Sequence, residues 1–98
     1  MNIIFNEYWK TTEILIKKPI RDGVIDVTLA ISDGSDTRSF RFHGSRDVDE
    51  LMSILHAWRI EITEDVESQK EFGRFTLSFT GDSYSEIYFD TCVEITST

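Results

Sequence analysis

Two histidines, one cysteine and eighteen carboxylates are the side chains of this 98-residue sequence that first invite acid–base, nucleophilic or metal-binding chemistry. A nucleophile, a base and an orienting group must come within hydrogen-bond reach of one another. His43 falls on the polar side of a strand pattern and His56 on the polar side of a helical one, so the fold would have to bring either a partner such as Cys92 or a serine. Cys92 has no second cysteine at CxxC spacing and no flanking basic residue to lower its pKa. Glu86, Asp90 and Glu94 recur every four residues. Along a strand that separates neighbours by about 13 Å, too far for one coordination sphere. Glu64, Asp65 and Glu67 stand closer, without the glycine and ligand spacing of a calcium-binding loop. Neither of the Gly-rich nucleotide signatures, GxxxxGKS/T and GxGxxG, occurs, and GxSxG is absent too. The sequence therefore predicts no catalytic residue, no metal ligand and no cofactor.

Charge carries more information. The chain has eighteen acids against ten bases, a net charge of −8 and a pI near 4.6. Residues 1–60 contribute a net −1, with nine acids and eight bases. Residues 61–98 contribute −7, with nine acids (Glu61, Glu64, Asp65, Glu67, Glu71, Asp82, Glu86, Asp90, Glu94) and two bases, Lys70 and Arg74. Such a field repels phosphate backbones and anionic membranes and speeds encounter with a basic partner. It also serves simple solubility. A basic stripe of Arg38, Arg41 and His43 interleaved with Phe40 and Phe42 opposes the trend, but those aromatics read as core. Nucleic acid is not the expected partner.

The elements that must position these residues follow from periodicity. The length fits one domain, residues 1–98, and a single cysteine excludes an internal disulfide framework. Strand patterns run over Ile3–Trp9, Glu13–Ile20, Val24–Ile31 and Thr37–His43, separated by turns at Arg21-Asp22-Gly23 and Ser32–Asp36. The period then lengthens to 3.6: Val48, Leu51, Met52, Leu55, Trp58 and Ile62 form one apolar stripe, led by Asp47 with Glu50 three residues on. On that reading Trp58 faces the core, and Trp58→Ala costs roughly 3–5 kcal/mol. Thr63–Glu71 reads as an acidic loop or short exposed turn, and Gly73–Thr80 as a further strand. One last strand puts Ile87, Phe89, Val93 and Ile95 on one side, with Tyr84, Glu86, Tyr88, Asp90, Cys92 and Glu94 on the other. The predicted class is α+β: an antiparallel sheet of five or six strands with one amphipathic helix, in the order β-β-β-β-α-β-β.

The outward row Tyr84, Glu86, Tyr88, Asp90, Glu94 suits a protein interface, tyrosine giving rigid area and the carboxylates pairing with a partner's arginine or lysine. Tyrosine is equally a good strand former on a solvated face. The acidic segment with Glu61, Glu64, Asp65, Glu67 and Glu71 extends the same surface, and Asp82 lies in the turn before it. An acidic hairpin, a compact β-rich frame, one helix and no catalytic set together resemble the small cytoplasmic immunity proteins that accompany bacterial polymorphic toxins, including contact-dependent inhibition systems. The resemblance implies a non-enzymatic protein that binds one cognate toxin domain, often a nuclease, and covers its basic surface. A small accessory or chaperone-like subunit that binds peptides through a sheet edge is the alternative. An enzyme would need a concave pocket gathering His43 or His56 with carboxylates. With no basic, apolar leader and no apolar run near 18 residues, a cytoplasmic location without membrane contact is expected.

Overall fold

The computed structural model describes residues 1–20, 23–45, 47–65 and 74–95. Among these residues the chain is nearly all β. Eight strands follow in order: β1 (Asn2–Phe5), β2 (Lys10–Lys17), β3 (Ile25–Ser32), β4 (Thr37–Ser45), β5 (Arg59–Glu64), β6 (Phe75–Thr80), β7 (Tyr84–Phe89) and β8 (Thr91–Ile95). They form two four-stranded antiparallel sheets, a first of order β1-β5-β6-β7 and a second of order β2-β3-β4-β8. The expected α+β class with its amphipathic helix is thereby overturned.

Each sheet is a three-stranded meander completed by a strand from the far end of the chain. β5-β6-β7 takes β1 as its fourth strand, while β2-β3-β4 takes β8. The inward rows are Val27, Leu29 and Ile31 on β3, Phe40 and Phe42 on β4, Ile60 and Ile62 on β5, Leu77 and Phe79 on β6, and Ile87 and Phe89 on β7, all buried in one core. Aromatic contacts join the layers: Phe5 meets Phe40 with centroids 5.9 Å apart, and Phe42 meets Phe89 at 4.8 Å. The β3–β4 turn is held by Asp33, whose Oδ1 accepts from the backbone of Ser35 at 2.9 Å and Asp36 at 2.8 Å. Gly34 supplies the φ of +97° that this turn requires. Of the expected Arg21-Asp22-Gly23 turn, Arg21 and Asp22 lie outside the described residues.

The predicted helix is the principal correction. Leu51–His56 is a single short 3-10 helix, and from Arg59 the chain is strand. The buried residues are Leu51, Ile54 and Ala57, three apart as a 3-10 helix demands, then Ile60 and Ile62, two apart as a strand demands. Met52, Leu55 and Trp58 point outward instead, Trp58 being 51% exposed. β-branched Ile60, Ile62 and Thr63 favour extension. Ala57 is already extended (ψ 141°), and the Trp58 N–H donates to the Thr80 carbonyl at 2.9 Å. Nor does the capping box form. Glu50 at the N-cap makes no side-chain cap bond, and Asp47 Oδ1 accepts from the Asp49 N–H at 3.0 Å in a local turn.

The last predicted strand is also two. The chain breaks at Asp90, where it leaves the first sheet for the second. This crossing reverses the alternation, so Cys92 is buried and Val93 exposed, opposite to the expected sides. Asp90 is fixed at the corner: its N–H donates to the His43 carbonyl at 2.8 Å and its carboxylate lies against Gly44. Gly44 has φ +95°, and a Cβ there would stand 2.3 Å from Asp90 Oδ2, so both conformation and space call for glycine.

Candidate functional site

The outer face of the first sheet gathers four of the predicted contact residues. Strand register aligns Ile4, Glu61, Ser78 and Glu86 in one row across β1, β5, β6 and β7. Asn2, Thr63, Thr76 and Tyr88 form the next row, and Arg59, Thr80 and Tyr84 the row on the other side. Small hydroxylated residues on β6 leave the face low between the taller β5 and β7 side chains. Along the β7 edge of this face, Tyr84 Oη donates to Glu86 Oε1 at 2.6 Å and Tyr88 Oη donates to Glu86 Oε2. Two phenols on the same strand thus hold one carboxylate in a fixed orientation. The carboxylate raises both tyrosine pKa values through these hydrogen bonds, with burial adding to the effect. Glu61 also raises Tyr84 across the sheet, and its own Oε1 accepts from Arg59 at 2.7 Å.

This surface continues past its edge. Asp82 is exposed in the β6–β7 turn, closed by the Gly81 N–H donating to the Ser83 carbonyl at 3.0 Å. Trp58 lies beside Thr80, whose partner on β7 is Tyr84. Sequence periodicity hid Trp58 by assigning it to the core.

The remaining predicted contact residues lie elsewhere. Glu94 sits on β8 in the second sheet and is bound by Arg38, Nε to Oε2 and Nη2 to Oε1 both at 2.8 Å. The Arg38 guanidinium also lies over the Phe5 and Phe40 rings, 5.6 and 5.4 Å from their centroids. That bidentate bond holds the Glu94 carboxyl below its usual range and raises Arg38. Glu94 is therefore engaged within the fold, and Arg38 follows the inward alternation of Phe40 and Phe42, apart from Arg41 and His43. Glu64 ends β5, bonded to the Met1 amino group at 2.9 Å and Arg74 at 3.0 Å, and the amino group is the main cause of its lowered pKa. The Asp65 N–H donates to the Arg74 carbonyl at 2.8 Å. Asp90 belongs to the corner described above. Glu67 and Glu71 lie outside the described residues.

Catalytic geometry is weaker. His43 Nδ1 is hydrogen-bonded to Asp26 Oδ1, its cross-strand partner on the second sheet, with both side chains open to solvent. His56 ends the 3-10 helix, exposed. Burial, followed by the charges of Glu94 and Glu64, pushes the Cys92 thiol up to about 12, which leaves it protonated at neutral pH. Among the described residues no three His, Cys, Asp or Glu side chains gather as a metal site, and no helix is long and apolar enough to cross a membrane. Comparison with protein families, with curated proteins and with solved structures found no match.

Proposed function

We propose that this chain is a non-enzymatic immunity protein, binding the basic surface of a cognate toxin domain through the outer face of its first sheet. The observation that carries this reading is the Tyr84–Glu86–Tyr88 cluster, in which two hydroxyls orient a carboxylate on an open sheet face. A carboxylate oxygen has two lone pairs, so one held by a phenol can accept from a guanidinium as well. Rigid aromatic area around an oriented charge is the composition of interface hot spots. Glu61, Asp82 and exposed Trp58 extend the face. The chain's net charge of −8 steers a basic partner toward it.

The test is capture of a partner by the full tagged chain from its source cells at low and high salt, then binding kinetics with the purified pair. The expected partner is one basic protein encoded beside this chain, with an on-rate that falls as salt rises. Glu86→Lys combined with Tyr88→Ala is expected to weaken binding by about a hundredfold or more, with the circular dichroism spectrum unchanged. An unaltered affinity would remove the first-sheet face from the interface. The absence of any basic partner at either salt would reject the immunity reading itself.

A further inference from the structure

Among the described residues β2 is the longest edge strand of either sheet, with eight residues against four in β1, six in β7 and five in β8. An edge strand presents unpaired N–H and C=O groups, which proteins ordinarily blunt with bulges, lysines or proline. Here those devices are confined to the ends. A bulge lies between Thr11 and Glu13, Lys10 Nζ donates to the Ala57 carbonyl at 3.3 Å, and Pro19 follows the strand. Between them Leu15 is 51% and Ile16 44% exposed. Glu13 and Lys17 have no ion-pair partner among the described residues.

We propose that β2 pairs antiparallel with β2 of a second copy of this chain, about a two-fold axis through Leu15. Residues opposite one another across two strands share a face of the sheet. The pairing of β2 with β3 places Glu13, Leu15 and Lys17 on the outer side, against Ala30, Thr28 and Asp26. It places Ile14 and Ile16 on the core side, against Leu29 and Val27. In the proposed register Leu15 meets Leu15, each Glu13 meets the other copy's Lys17, and each Ile14 meets the other copy's Ile16. The outer row is then an apolar centre between two opposite-charge pairs, and the core row is apolar throughout. The neighbouring registers that keep the faces matched fail: one sets Glu13 against Leu15, the other Leu15 against Lys17. Self-complementarity of this kind is what an isologous interface requires. β2 itself, with two lysines and one glutamate, is also free of the negative charge that dominates residues 61–98. The two second sheets become one continuous sheet of eight strands. The acidic face of each first sheet stays uncovered, so the proposal stands independently of the toxin reading.

The test is the solution mass of the full chain by sedimentation equilibrium from micromolar to near-millimolar concentration. The expected result is a mass approaching twice the 11.4-kDa chain. Leu15→Lys, Glu13→Lys and Lys17→Glu are each expected to raise the dissociation constant about tenfold or more by setting like charges or a buried lysine across the axis. The double variant Glu13→Lys/Lys17→Glu restores both opposite-charge pairs and is expected to restore the association. Thermal unfolding of each variant checks that the fold is intact. A monomer across the whole range overturns the proposal. So does an association that Leu15→Lys leaves unchanged, or one that the double variant fails to restore.

Discussion

The charged residues of this chain divide by whether they answer to the fold or to solvent. Glu94 answers to the fold: Arg38 grips both its oxygens and lowers its pKa. A carboxyl whose folded pKa lies below its unfolded value contributes stability that is complete above the unfolded pKa, near 4.5, and is lost as pH falls through the lowered value. Glu64, lowered by the Met1 amino group, acts in the same direction. Urea midpoints measured from pH 7 to pH 3 are therefore expected to fall below about pH 4.5, with Glu94→Gln showing a shallower decline. At pH 7 that substitution is expected to cost about 1 kcal/mol or less, because both side chains are more than a third exposed. Equal slopes for the two proteins would show that Glu94 does not contribute to the acid response. Composition made the acidic excess plain, but it did not distinguish Glu94, consumed by Arg38 two residues from its cross-strand partner Phe40, from Glu86, oriented by its own neighbours two residues either side.

At the scale of elements, legibility followed how many readings a pattern allows. Ile25, Val27, Leu29 and Ile31 alternate strictly and lead to Asp33-Gly34, so β3, its turn and β4 were readable directly. The segment from Val48 to Ile62 admits two solutions. A helical stripe collects Leu51, Met52, Leu55 and Trp58, while a 3-10 helix followed by a strand collects Leu51, Ile54, Ala57, Ile60 and Ile62. The second prevails because β6 offers β5 a ladder from Arg59↔Thr80 to Glu64↔Phe75, a long-range gain invisible to local period. Ile54→Ala is accordingly expected to cost about 2–5 kcal/mol and Trp58→Ala no more than about 1 kcal/mol, read from chemical denaturation. The reverse order would return Trp58 to the core. The break at Asp90 was equally hidden, since an alternation that skips one residue still reads as a strand until the partner sheets are known.

For the molecule as a whole, the first and last strands complete each other's halves: β1 closes the second meander and β8 closes the first. Neither half can be finished from its own stretch of sequence, so unfolding is expected to be one cooperative transition. A chain ending at Asp90 lacks β8, leaves Phe40 and Phe42 on an uncovered strand, and is expected to show no cooperative urea transition by circular dichroism. A transition with an unchanged midpoint would mean that β8 is dispensable. The same exchange has a meaning for synthesis. β5 finds its outer neighbour already made, because β1 leaves the ribosome long before it. β4 must wait until β8, the last of the eight strands, has emerged. During that interval its edge is open to any extended segment nearby, and the cationic Arg38 and Arg41 with the polar His43 along it act as gatekeepers that keep the nascent chain from the wrong partner.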